Sequence, residues 1–238
     1  MARILKIGLC LTTLWFSGAI EGAEFDEDVS ALAEAAYEAG DYETALRLFE
    51  TLAGQGNARA QFNLGVIYHE GKGVIQDYKE AERWYRLSAK QDNPAAQYNL
   101  GLLHDTGPRP LKDDKEAFKW YSLAAQEGIA EAQANLGAMY AKGQGVLQDY
   151  KKAAKWYRLA AEQGIAEAQT NLGVMYATGS GVTEDIVFAH MWFNLSSSLG
   201  SEDGLNKRKT VSNHMTQNEI AKAEALARQC IKKSYKNC

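Results

Sequence analysis

Proline and cysteine are both scarce, with three of each in 238 residues. So few prolines leave long stretches without a helix breaker, and the plentiful Ala, Leu, Glu, Lys and Gln favour helix. The cysteines stand at 10, 230 and 238 and form no Cys-x-x-Cys pair and no cluster with histidine, which removes the usual signature of a zinc site. His69, His104, His190 and His214 lack metal-ligand spacing with carboxylates or cysteines. The chain has no basic surplus either. Its formal net charge is -4 with both signs interspersed, so nucleic acid is not an expected partner. Catalytic signatures are missing as well: there is no Gly-x-Ser-x-Gly elbow, no phosphate loop and no dinucleotide fingerprint. No cofactor, no metal and no enzymatic activity are therefore expected.

Long apolar runs are also lacking, with one short exception. Arg3 and Lys6 precede an apolar run over residues 7–16, and Ser17-Gly18-Ala19 follows. The run falls short of the ~20 residues of a membrane-spanning helix. Charged, then apolar, then small is the order of a secretory signal peptide. Residues 1–23 are read as this segment, with a cut after Ala19 or after Ala23 and no membrane span once it is removed. A lipoprotein cut before Cys10 is disfavoured by the bulk of Leu9. Cleavage would leave Cys230 and Cys238, eight residues apart. They read either as one disulfide or as two free thiols on a frayed tail. A periplasmic or secreted location follows from the same reading.

What the chain has in abundance is itself. AQFNLGVIY at residue 60 is rewritten as AQYNLGLLH at 96, AQANLGAMY at 132 and AQTNLGVMY at 168, a spacing of 36 residues each time. Whole columns keep the period. Leu64, Leu100, Leu136 and Leu172 match, as do Gly65, Gly101, Gly137 and Gly173. Asp77, Asp113, Asp149 and Asp185 follow, then Ala81, Ala117, Ala153 and Ala189. Trp84, Trp120, Trp156 and Trp192 are each followed by an aromatic: Tyr85, Tyr121, Tyr157 or Phe193. Self-similarity at such a period is the signature of a solenoid.

Each unit reads as two helices. In the first copy, Ala60, Leu64, Ile67 and Tyr68 have helical spacing, and Gly71-Lys72-Gly73 ends the helix. A second helix begins near Asp77 with Ala81, Trp84, Tyr85 and Ser88 on one side. Asn93 then caps the next helix, with Pro94 at its first position. A glycine inside a helix costs ~1 kcal/mol against alanine. Its recurrence at Gly65 and its copies predicts a close approach by the neighbouring helix and its tryptophan. One unit is irregular, with Gly107-Pro108-Arg109-Pro110 in its loop and His104 in the tyrosine column, where it is expected to pack as an aromatic substitute.

This pattern, AQxNLGxxY, GxG, Asp and AxxWY, resembles the Sel1-like repeat family, relatives of tetratricopeptide repeats with a longer connecting loop. The resemblance implies an all-α fold, a right-handed superhelical α-solenoid of antiparallel helix pairs. Four repeats are assigned to residues 57–92, 93–128, 129–164 and 165–200. Residues 24–56 resemble a tetratricopeptide-like capping repeat, since AYEAGDYETALRLFE keeps the register with a shortened loop. Residues 201–238 are read as C-terminal capping helices. There Thr216-Gln217-Asn218-Glu219 forms a capping box, and Ile220, Ala223, Ala227 and Ile231 form one apolar face.

The expected site is a column of asparagines: Asn63, Asn99, Asn135 and Asn171. Asparagine is a mediocre helix former, yet it recurs mid-helix. Its amide both donates and accepts, so it can match the backbone of an extended peptide. The resemblance implies a concave surface lined by first helices, where such amides would make a peptide track. An internal hydrogen bond to the neighbouring helix is the other reading. Beside this column Phe62, Tyr98, Ala134 and Thr170 vary between units, as do Val66, Leu102, Ala138 and Val174, and Phe62 and Tyr98 join the expected site. The implied function is an exported scaffold that binds a protein or peptide without catalysis. The alternative from another class is a β-lactam-binding or β-lactam-hydrolysing enzyme. That activity is described for exported relatives with paired cysteines in each repeat, and these repeats hold no cysteine. The sequence names no partner and no oligomeric state.

Overall fold

A computed structural model describes residues 20–238, with side chains described from Asp28 onward. The expected signal segment falls almost wholly outside these residues. Among the described residues there are twelve helices and no strand. The chain divides into two compact units, one ending at Leu87 and the other beginning at Ser88.

The first unit holds α1 (Ile20–Glu38), α2 (Tyr42–Gly54), α3 (Ala58–Glu70) and most of α4 (Tyr78–Ala89). Its core joins Ala33, Ala45, Phe49, Leu52, Ala60, Leu64 and Ile67. The second unit continues with α5 (Pro94–Thr106), α6 (Asp114–Gln126), α7 (Ala130–Lys142), α8 (Tyr150–Ala161), α9 (Ala166–Thr178) and α10 (Ile186–Ser198). It ends with α11 (Glu202–Ser212) and α12 (Gln217–Lys232).

Local chemistry sets the helix ends. Asp113 accepts from the backbone N–H groups of Lys115 and Glu116 at 2.9 and 3.2 Å, and Asp185 does the same for Val187 and Phe188. Asn93 caps α5 by accepting from Ala96 at 3.1 Å, with Pro94 as the first helical residue. At the other end, Gly143 stops α7 with φ 69° and Gly145 follows with φ 66°, a left-handed region that side chains disfavour. One backbone bond then closes every loop. The Asp77, Asp113, Asp149 and Asp185 N–H groups donate to Tyr68, His104, Tyr140 and Tyr176 carbonyls at 2.8–3.0 Å.

Contacts between α7 and α8 show that the two helices run antiparallel. Asp149 meets Tyr140, Tyr157 lies over Gly137, and the amides of Gln163 and Gln133 bond at 2.9 Å. As numbers rise in α8 they fall in α7. The fold class is thus the one read from the sequence, an all-α solenoid of antiparallel helix pairs.

Two expectations need correction. The ring over each mid-helix glycine belongs to the residue after the tryptophan. A Cβ on Gly137 would lie 2.8 Å from Tyr157, one on Gly173 would lie 2.6 Å from Phe193, and Gly65 and Gly101 meet Tyr85 and Tyr121 more closely still. One residue is ~100° of helix rotation, so the tryptophan is turned aside to a different neighbour. Trp156 packs against the core of Tyr121, Ala125 and Leu136. In α12 the buried face is Ala223, Ala227 and Cys230, while Ile231 is 47% exposed. Small residues let α12 sit close, and the bulkier isoleucine is left outside.

The last pair, α9 and α10, shows what an end costs. Leu123 and Leu159 are 38% and 37% exposed, yet Leu195 in the same register is fully buried. Both α11 and α12 pack on α10, and Leu195 shares a core with Ala223, Ala227 and Cys230. These helices keep a terminal apolar face from water.

Candidate functional site

Each first helix sorts its residues by angle. In α7, Gln133, Leu136 and Gly137 are buried, while Asn135 and Ala138 are half-buried along the edge of the core. Asn63 on α3, Asn99 on α5 and Asn171 on α9 occupy the same half-buried position. The Asn135 amide donates to the Tyr121 hydroxyl. No hydrogen bond within the chain holds the amides of Asn63, Asn99 or Asn171 among the described residues.

The neighbouring column is split. Phe62 and Tyr98 are half-buried, and their rings lie 5.9 and 6.0 Å from Tyr85 and Tyr121. Burial, helped by the charge of Glu131, raises the pKa of the Tyr98 hydroxyl above the usual phenol range. Ala134 and Thr170 are instead buried, and the Thr170 and Ser196 hydroxyls bond at 2.6 Å. The outer positions Val66, Leu102, Ala138 and Val174 are all half-buried. This column therefore places an aromatic ring next to Asn63 and Asn99 and a small side chain next to Asn135 and Asn171.

In the first unit this surface is concave. A cleft of about 250 Å³ lies among α1, α2 and α3, with Tyr37, Phe49, Arg59, Phe62, Asn63 and Val66 in its lining. The Tyr37 hydroxyl donates to a Glu70 carboxylate oxygen at 3.0 Å. Burial and that bond push its pKa up to about 12, so it stays a neutral donor.

The histidines do not converge. His69 Nδ1 lies 3.3 Å from the Tyr85 hydroxyl, and His104, which is buried, has Nδ1 2.8 Å from the Leu111 carbonyl oxygen. His190 is buried against the helices that follow it, and burial with the nearby Arg208 lowers its pKa. Among the described residues no group of three or more His, Cys, Asp or Glu side chains could hold a metal ion, and no helix is long and apolar enough to cross a membrane. Cys230 and Cys238 have Cα atoms 5.4 Å apart, a separation a disulfide spans.

One column escaped the sequence reading. Gln61, Gln97, Gln133 and Gln169 are buried, and each Nε2 donates to the carbonyl eight residues earlier: Ala53, Ala89, Ala125 and Ala161, at 3.1–3.5 Å. The last carbonyls of a helix have no partner within it. These four carbonyls accept the turn N–H groups of Gly56, Asp92, Gly128 and Gly164, and each glutamine adds a second donor from the next helix. The signal was present, since an uncharged polar residue recurred at a core-facing position.

A sequence profile of the Sel1 repeat matches residues 58–93, 94–129, 130–165 and 166–201. Among solved structures, the chain is similar to a Sel1 repeat protein from Oxalobacter formigenes. The two are 34% identical, the match covers 74% of this chain and 72% of that one, and the TM-score is 0.70. It is also similar to c5321, a protective antigen present in uropathogenic Escherichia coli strains and displaying an SLR fold. That match has 31% identity, 88% coverage of this chain and a TM-score of 0.59, but spans only 55% of the antigen. Among curated proteins no match was found.

Proposed function

Given that the chain belongs to the Sel1 repeat family, a scaffold fold that typically mediates protein–protein interaction, we propose that it is an exported scaffold that binds a protein or peptide along the exposed face of its first helices. Its action would be shape and hydrogen bonding, with no bond made or broken. The observation that carries this reading is the asparagine column. An internal partner would explain a helix-disfavouring residue at four equivalent positions, and three of the four amides have none. A free amide can offer a donor and an acceptor to an extended backbone. Phe62 and Tyr98 would add apolar contact in the first units of the array. The apolar run near the N-terminus, following Arg3 and Lys6, supports export to the periplasm or beyond.

The test is capture from envelope extract by the purified chain and by a variant with Asn99, Asn135 and Asn171 changed to alanine. Circular dichroism serves as the check on folding. A partner held only by the unchanged chain supports the reading. Equal capture by both would remove these asparagines from the binding surface and leave them a packing role.

A further inference from the structure

The cleft of the first unit has a chemistry of its own. Its floor is Phe49, 1% exposed, and its apolar walls are Phe62 and Val66. Its volume of about 250 Å³ is below the ~300–1,000 Å³ of pockets that enclose a whole small molecule. It suits one or two side chains of a longer ligand.

The rim is charged and unbalanced. Arg59 grips Glu34 at two points, Nε–Oε1 2.6 Å and Nη2–Oε2 2.7 Å, so its guanidinium is already engaged. The Tyr37 hydroxyl is committed to Glu70. Glu38 lines the same cleft and makes no ion pair or hydrogen bond within the chain among the described residues. The charge left to a ligand is therefore a carboxylate. Asn63 lines the same cleft with an amide that no hydrogen bond within the chain holds among the described residues.

We propose that this cleft is a recognition subsite for an extended peptide that seats an apolar side chain between Phe62 and Val66 and pairs an adjacent lysine or arginine with Glu38. The proposal rests on the peptide-binding reading above and narrows it to a class of sequence. Asn63 would bond the peptide backbone between the two anchors. Glu38 is exposed, so the pairing sets preference more than affinity.

The test uses the full chain and short fluorescent peptides whose central leucine is followed by lysine, glutamate or serine, with binding read by anisotropy. An exposed ion pair predicts that the Leu-Lys peptide binds roughly two- to five-fold tighter than the Leu-Glu peptide. The gap should close as added salt screens the charges. Glu38→Lys should reverse the order, and since Glu38 is exposed this variant should fold normally. Equal binding of the two peptides, or an order that Glu38→Lys leaves unchanged, overturns the proposal. If peptides bind and the Asn99, Asn135 and Asn171 alanine variant loses them while Glu38→Lys changes nothing, the subsite falls and the general reading stands. If no peptide binds and the capture experiment also fails, both fall together.

Discussion

Tyr157 lies so close over Gly137 that a single added carbon would sit 2.8 Å from its ring. The glycine is a notch cut in α7 for a ring carried by α8. Two effects of opposite sign meet in Gly137→Ala. Helix propensity favours alanine by ~1 kcal/mol. Overpacking a fitted core costs about 1–3 kcal/mol. The ring is buried and has no free end to swing away, so overpacking should win and the variant should lose stability in urea unfolding. A variant more stable than the parent would mean the ring is free to move and the notch is no constraint.

The buried glutamines give a second prediction. Gln169 is fully buried, and its Nε2 donates to the Ala161 carbonyl at 3.1 Å. Gln169→Leu keeps the bulk and removes the donor. The Ala161 carbonyl also accepts the Gly164 backbone N–H at 3.1 Å, so it keeps one partner and the loss is that of a single hydrogen bond, about 0.5–1.5 kcal/mol. Urea midpoints of the two proteins, compared at one pH, measure it. A neutral result would mean that the Gly164 N–H alone satisfies that carbonyl.

How much of this could be read from the sequence depends on how far apart the interacting groups lie. The aspartate caps, the Gly-x-Gly stops and the Thr216–Glu219 box act within a few residues, and spacing reveals them. The choice of Tyr157 over Trp156 for the notch at Gly137 depends on how α8 is rotated against α7, which only packing decides. The same holds for α12, where Ala223 and Ala227 face the core and Ile231 does not. The cleft is the extreme case. Its rim depends on Arg59 reaching Glu34 and Tyr37 reaching Glu70, pairs 25 and 33 residues apart that no local pattern announces.

The cap aspartates tie stability to pH. Backbone N–H groups of Glu116 and Lys115 hold Asp113 below the usual carboxylate range, and the Lys152 N–H does the same for Asp149. A depressed folded pKa means the stabilisation is complete above the unfolded value of about 4. It is lost as pH falls through the lower folded value. Asp113→Ala should therefore be less stable than the parent at pH 7, with the difference shrinking in strong acid. Asp113→Asn should keep much of the cap, because an amide oxygen also accepts, and should lose the pH dependence. Thermal melts across the acid range report both. A deficit of Asp113→Ala that stays constant with pH would show that the carboxylate charge is irrelevant.

His190 should produce a second, milder acid effect. It is 3% exposed, its Nδ1 has no hydrogen-bond partner, and Arg208 and Glu224 are its charged neighbours. Burial, then Arg208, places its folded pKa below the ordinary histidine value of about 6.5. The neutral ring therefore contributes stability above that value, and the contribution drains away as pH falls toward the folded pKa. The parent should lose more stability between neutral and mildly acid pH than His190→Gln does. Hydrogen exchange should locate the loosening in α11 and α12. Parallel curves for the two proteins would show that His190 does not titrate differently on folding.

The C-terminal tail offers the last prediction. After α12 the chain turns back through Ser234, Tyr235 and Asn237, all at positive φ of 52–66°. For residues with a side chain this region costs roughly 1–2 kcal/mol each. The turn is therefore held by its contacts. Tyr235 packs on the core of the last repeats, 3.7 Å from where a Cβ on Gly164 would be, and Cys230 is 3% exposed beneath it. A bond between Cys230 and Cys238 would close the turn from both sides, and the proposed export to an oxidising compartment would favour it. Alkylation should then label neither cysteine until a reductant is added. The loop is short, so reduction should cost less than the ~3 kcal/mol of a fifteen-residue loop. It should also expose the bonds after Lys232, Lys233 and Lys236 to trypsin. Immediate labelling of Cys238 in protein isolated without reductant would show two free thiols, and the tail would then hold its turn through Tyr235 alone.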